Sequence, residues 1–190
     1  TFTATTLDAI GAPGSAPTGL ALTNDSGAAD GTTNVSPLAF SWNSVATATG
    51  YDISANGGTA WISIGNVTSV TIAGIADGTY NIQVRATNAG GAGPGTASLP
   101  VTLDRLAPSW GAWVSAPPAN QGTTYNGLEV SMSETLTGGT LTGVSSSAGG
   151  TITGAAINGS GNVTFNFVTP ASALTTLTFT GTDRAGNAFT

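Results

Sequence analysis

Apolar and polar residues alternate with a period of two along much of this chain, in short runs broken by glycine, proline and asparagine. Leu38-Ala39-Phe40-Ser41-Trp42 places Leu38, Phe40 and Trp42 on one face. Tyr80, Ile82 and Val84 share a face in the run to Ala86, and Leu128, Val130 and Met132 share one in Asn126–Glu134. Such a period marks half-buried β-strands. Shorter runs, Pro17–Leu22, Gly50–Ser54, Trp61–Ile64, Val70–Ile72, Asn162–Val168 and Leu174–Phe179, read the same way. Asn56-Gly57-Gly58 is a turn of the kind that needs positive φ. Asn88–Pro94 closes a hairpin, and Asp183–Thr190 reads as a turn entering a final strand. No window carries a helical period, so essentially no helix is expected. No apolar run approaches the roughly 18 residues of a membrane span, and no signal peptide remains.

A repeat organises these runs. Leu7-Asp8 leads to Ala12-Pro13, and Leu103-Asp104 leads to Ala107-Pro108, each after a strand-like segment. A spacing of roughly 100 residues is the length of one immunoglobulin-like sandwich. The expected fold class is therefore all-β, two tandem immunoglobulin-like β-sandwiches in an elongated arrangement. The expected domains are an N-terminal strand and linker over 1–15, a first sandwich over 16–104, and a second over 105–190 that lacks its last strand. Leu106 and Trp110, beside the proline-stiffened linker, are expected to bury between the sandwiches.

Charge narrows the function classes. The only basic residues are Arg85, Arg105 and Arg184, His and Cys are absent, and the net charge is −6. A nucleic-acid binder needs clustered Lys and Arg to displace counterions, so that class is set aside, as is an anionic membrane surface. Without cysteine there are no disulfides, and stability must come from core burial, assembly or bound ions. The abundance of Thr, Ser, Gly, Ala and Val suits a secreted β-rich chain.

The first half is similar to a fibronectin type III domain. The resemblance rests on Ser41-Trp42-Asn43-Ser44-Val45 through Tyr51, and on Asp77-Gly78-Thr79-Tyr80 through Pro94. It implies that Trp42 is a buried core tryptophan and that the Tyr80 hydroxyl caps nearby backbone. Asn24–Gly31 is an insertion-like loop, and no Arg-Gly-Asp motif is present, so an integrin-type role is not implied. In the second half, Asn126–Glu134 and the turn Thr182-Asp183-Arg184-Ala185-Gly186-Asn187 resemble bacterial Ig-like repeats of large surface adhesins. Gly138–Gly161, rich in Gly and Ser, carries little of that resemblance.

The candidate chemistry is sparse. Glu129 and Glu134 are the only glutamates and fall on opposite faces of a regular strand, so a paired-carboxylate catalyst is not indicated; no enzyme is expected. The adhesin resemblance implies structural calcium at domain junctions, with Asp8, Asp25, Asp30 and Asp104 as ligands and Asp77 and Asp183 as further sources of oxygen. No other cofactor is expected. Five Asn-x-Ser/Thr sequons, at Asn24, Asn34, Asn66, Asn158 and Asn162, offer glycosylation sites in a host with the transferase.

The N-terminal strand and the incomplete second sandwich together predict a non-catalytic subunit of an extracellular surface filament, pilus-like and joined head to tail by strand donation. Phe2, Ala4 and Leu7 would be the inserted side chains, and identical subunits the partners. One alternative is a repeat segment of a long cell-surface adhesin stalk. Another is a carbohydrate-binding accessory module of a secreted hydrolase, with Trp61, Trp110 and Trp113 stacking on sugar rings or surface glycans.

Overall fold

A computed structural model describes residues 10–117, 124–147, 149–169 and 175–190. Among them there are sixteen strands and no helix. In chain order they are β1 (Thr18–Leu22), β2 (Thr32–Thr33), β3 (Leu38–Asn43), β4 (Gly50–Ser54), β5 (Ile62–Gly65), β6 (Ser69–Ile72), β7 (Gly78–Asn88), β8 (Gly91–Gly95), β9 (Leu99–Leu103), β10 (Trp110–Ser115), β11 (Thr124–Met132), β12 (Thr140–Ser146), β13 (Thr151–Ile157), β14 (Val163–Val168), β15 (Leu177–Thr182) and β16 (Ala188–Phe189). Two compact units divide the chain. One holds the residues up to Asn24 together with Val35–Leu103, and the other holds Asp25–Asn34 with Asp104–Thr190. The switch between units at Leu103–Asp104 falls at the repeated Leu-Asp pair, and the loop that interrupts the first half is grouped with the second unit.

In the first unit, a β1-β3-β6 sheet faces a sheet of order β9-β7-β4-β5, with β8 also paired to β7. The alternation predicted for β3 holds: Leu38, Phe40 and Trp42 are buried, and Ala39 and Ser41 are not. They meet Tyr51 and Ile53 of β4, Ile82, Val84 and Ala86 of β7, and Val101 and Leu103 of β9. The Trp42 and Tyr51 rings lie 5.7 Å apart at 59°, within the range where tilted aromatic pairs attract. The Tyr80 hydroxyl donates to the Ala76 carbonyl at 2.7 Å, the local cap expected of it. Gly57 and Gly58 take φ of 71° and 84°, a region that residues with a Cβ rarely enter.

In the second unit, the sheet order β10-β11-β14-β13 faces β12-β15-β16. Lettered from β10 as A to β16 as G, this is the ABED and CFG arrangement of a seven-stranded immunoglobulin sandwich, so the last strand, expected to be missing, is present but only as the two residues of β16. Its core gathers Leu128, Met132, Leu136, Val163, Phe165, Phe167, Phe179 and Phe189. The turn into β16 forms as expected: Asp183 N donates to Asn187 O at 3.0 Å, Gly186 N donates to Asp183 O at 3.2 Å, and Gly186 sits at φ 92°. A side chain at Gly181 would strike the Phe189 ring and the Thr140 carbonyl, so this position must stay bare for β16 to close.

Leu106, at the start of the second unit, is 63% exposed. Leu106 N donates to Asp104 Oδ1 at 3.1 Å, a local turn that holds the linker backbone without burying the leucine. Trp110 packs inside the second unit instead, on Phe179 at 5.7 Å and edge-on to Phe189 at 5.9 Å.

Candidate functional site: an apolar groove and a carboxylate cluster

Among the described residues, one edge of the second sandwich is only partly paired. β15 pairs with β12 from Leu177 to Thr182. On its other edge β16 covers only Gly181 and Thr182. From Leu177 to Thr180, no strand among the described residues occupies that edge. Leu177 and Phe179 point inward with Gly181, as the alternating burial along β15 shows. Beside this edge lies a cavity of about 620 Å³, walled by Trp110, Trp113, Tyr125, Leu128, Val130, Phe165, Phe167, Leu177 and Phe179. Trp113 rests 6.2 Å from the Phe165 ring yet stays 47% exposed, and Trp110 is 37% exposed. Large apolar groups thus stand partly open to water beside an edge that no described strand covers.

The second feature sits at a corner of the same unit. One carboxylate oxygen each from Asp104, Glu134 and Asp183 lie within 4.8 Å of one another. Asp104 starts the linker, Glu134 follows the end of β11, and Asp183 opens the turn after β15. Asp183 is buried and caps that turn: its Oδ1 accepts Asn187 N at 2.8 Å and its Oδ2 accepts Asn187 Nδ2 at 2.9 Å. Asn187 Nδ2 also donates to the Asp104 carbonyl at 3.0 Å. Glu134 Oε1 is shielded from solvent and has no hydrogen-bond partner. Burial, then the charges of Asp104 and Asp183, then contact with Asp104, push the Glu134 carboxyl above the usual carboxylate range. Three acceptors converge and do not satisfy one another, so the cluster calls for a proton or a cation. The residues fit a hard divalent cation, which prefers carboxylate and carbonyl oxygens.

Asp30 and Asp25, also predicted as metal ligands, lie outside this cluster. Asp30 Oδ2 pairs with Arg184 Nε at 2.7 Å, and its Oδ1 accepts Thr32 N at 2.9 Å. Partial desolvation opposes, and these bonds outweigh it, so the Asp30 carboxyl is held below its usual range. Asp25 Oδ2 accepts Gly31 N at 2.8 Å, while Oδ1 is buried without a partner. Asp8 falls outside the described residues, as do the donor positions Phe2, Ala4 and Leu7. Of the cluster, Asp104 and Asp183 were foreseeable as linker and turn aspartates; Glu134 was not.

The tryptophans considered for sugar stacking divide. Trp110 and Trp113 wall the groove, and Trp61 carries the Arg85 guanidinium 4.4 Å above its ring, with Arg85 Nε also 2.9 Å from Asp52 Oδ2.

No family model matches the chain, and no curated protein matches it. Among solved structures, it is similar to the fibronectin(III)-like modules of CbhA from Clostridium thermocellum, at 15% identity and a TM-score of 0.40, over 84% of this chain and 83% of that one. It is also similar to the FN1-FN3 domains of chicken CNTN1, at 14% identity and a TM-score of 0.37, over 93% of this chain and 62% of that one. Among the described residues, no helix is long and apolar enough to cross a membrane.

Proposed function

We propose that this chain is a non-catalytic structural unit of an extracellular fibre, in which the second sandwich is completed by a strand from the neighbouring unit. The single observation that carries this reading is the apolar groove beside the open edge of β15. An added strand satisfies the edge by main-chain hydrogen bonds and fills the groove with alternate side chains. The segment Thr1–Leu7 offers such a strand, with Phe2, Ala4 and Leu7 as inserted groups. A contact of this heterologous kind propagates into an open filament unless its geometry closes a ring. Among the described residues, those that wall the groove include no carboxylate, amine or imidazole, which suits a packing surface. In a long adhesin stalk the same pairing would form between consecutive repeats of one polypeptide.

A structural calcium ion belongs to the same proposal. Asp104, Glu134 and Asp183 would hold it, and it would supply the positive charge that their corner lacks while tying the linker to the turn that carries β16.

The experiment is a pair of variants. Deleting Thr1–Leu7 should give monomers that do not polymerise. Fusing a copy of that segment after Thr190 should give a stable, self-complemented monomer. Polymerisation that survives the deletion would count against the reading, as would a fusion no more stable than its parent.

A further inference from the structure

Five asparagines stand in sequons, and the fold treats one of them differently. An N-linked glycan attaches to the asparagine amide nitrogen, so that nitrogen must be free to leave the protein surface. Asn24 Nδ2 donates to the Pro37 carbonyl at 2.7 Å, and its Oδ1 accepts Ala39 N at 2.9 Å. Asn34 Nδ2 donates to Asn187 Oδ1 at 3.2 Å. Asn158 and Asn162 both donate to Glu129 Oε1 at 2.7 Å. Two sequon hydroxyls are committed as well: Ser26 Oγ donates to the Ala185 carbonyl at 2.6 Å, and Thr164 Oγ1 to the Ala156 carbonyl at 3.3 Å. Modifying any of these four asparagines removes a bond that holds a loop or turn in place.

Asn66 has none of these commitments. It lies in the three-residue connection between β5 and β6, directly after Gly65 at φ 79°. Asn66, Val67 and Thr68 are all exposed. Among the described residues, neither the Asn66 amide nor the Thr68 hydroxyl makes a hydrogen bond. The connection is anchored by its backbone alone, through Trp42 N donating to the Thr68 carbonyl at 3.0 Å. An enzyme can therefore seize both sequon side chains without dismantling the fold.

We propose that Asn66 is the sequon that the folded protein presents for N-linked glycosylation. The co-reactant is a lipid-pyrophosphate-linked oligosaccharide, used by a membrane-bound transferase. Asn66 Nδ2 forms a bond to the anomeric carbon of the first sugar. The bond from that carbon to the pyrophosphate oxygen breaks, the lipid pyrophosphate leaves with the electron pair, and one amide proton passes to the enzyme's base. A glycan here would hydrate a chain that carries only three basic residues and a net charge of −6.

The test incubates the folded full chain with a single-subunit oligosaccharyltransferase that accepts the three-residue sequon, plus its lipid-linked donor. Glycopeptides are then mapped by mass spectrometry. The folded protein is expected to carry sugar at Asn66 only, and Asn66→Gln to lose that product. Heat-unfolded protein, as the control for intrinsic acceptance, is expected to gain sugar at further sequons. Folded protein modified at Asn24, Asn34, Asn158 or Asn162 as readily as at Asn66 would overturn the proposal. So would an Asn66 left bare in the folded state but used in the unfolded one.

Discussion

The two sandwiches solve the same two problems differently. The first problem is the edge of the strand before the last turn. In the first unit, β7 is covered by β8 from Arg85 to Asn88 and by β9 from Gly78 to Ile82, and β9 buries Val101 and Leu103. In the second, β16 covers only two residues of β15, and the aromatic groove stands beside the remainder. The second problem is the corner where linker, loop and turn meet. In the first unit, Asn88 Nδ2 donates to the Gly11 carbonyl at 3.0 Å and the Thr47 carbonyl at 3.2 Å, while its Oδ1 accepts Gly90 N at 2.8 Å. In the second, the residue at the turn is Asp183, whose Oδ1 accepts the backbone N of Asn187, four residues on, but which has no donor to offer. It meets Asp104 and Glu134 instead. One neutral amide, Asn88, closes the first corner; in the second, the Asn187 amide bonds Asp183 and the Asp104 carbonyl while three carboxylates crowd beside it. Under the proposed function, the second unit would take up a strand at its edge and a cation at its corner.

The largest effect should come from filling the groove. Burying two large apolar side chains is worth about 3–6 kcal/mol before the cost of ordering the strand. The variant with Thr1–Leu7 fused after Thr190 should therefore unfold roughly 10 °C or more higher in its second unit, read by calorimetry. Phe165→Ala tests the same face from within. It removes a buried ring that touches both Trp113 and Phe179 and should cost about 3–5 kcal/mol. The measurement is chemical denaturation followed by tryptophan emission. A loss below about 1 kcal/mol would mean that the core does not rest on this ring.

Exchanging the corner residues sharpens the second contrast. Asn88→Asp removes two donated bonds and should destabilise the first unit by about 2–3 kcal/mol. Asp183→Asn turns one of two buried acceptors into a donor facing Asn187, so it should lower the calcium-free stability of the second unit by about 1–3 kcal/mol, and it should abolish any rise in midpoint on adding calcium. A calcium response of full size in Asp183→Asn would remove the cluster as the site.

Much of this was legible in the chain. Period-two alternation marked β3, β7, β11 and β14, because each of these strands has one face on a core. The strands β10, β12 and β13 were not marked. In β10, register shifts between Trp110, Trp113 and Ser115 break the alternation, and in β12 and β13 small residues give too little contrast between faces. The corner was half legible. Asp104 was picked out by its repeated linker, whereas Glu134 lies beyond the end of β11, where no period predicts a direction. Its meeting with Asp104 and Asp183 is a product of tertiary closure, as is the pairing of Asp30 with Arg184 across 154 positions.

Smaller effects follow from pH. The Glu134 carboxyl is raised above its unfolded value, so it favours the folded state at acid pH and that contribution is lost as pH rises through the raised pKa. With calcium chelated, the second unit should lose stability as pH rises above the ordinary glutamate pKa of about 4.3, and Glu134→Gln should flatten that slope. A slope unchanged in Glu134→Gln would assign it to another group. Asp30 and Glu129 carry the opposite sign. Glu129 is lowered by its bonds from Asn162 and Asn158, and the support from both carboxylates is lost as pH falls through their depressed pKa values. The smallest effect is expected for Asp30→Asn, which breaks an exposed pair worth about 0–1 kcal/mol. A larger loss in thermal midpoint would show that Asp30 holds more than Arg184.

The most direct measurement is backbone hydrogen exchange along β15, in protein lacking Thr1–Leu7, with and without a synthetic peptide of that sequence. If a donated strand completes the second sandwich, the exchanging amides between Leu177 and Thr180 should become protected on adding peptide, and the emission of Trp110 and Trp113 should shift to the blue as the groove dries. Exchange in β15 and tryptophan emission both unchanged at saturating peptide would contradict the account.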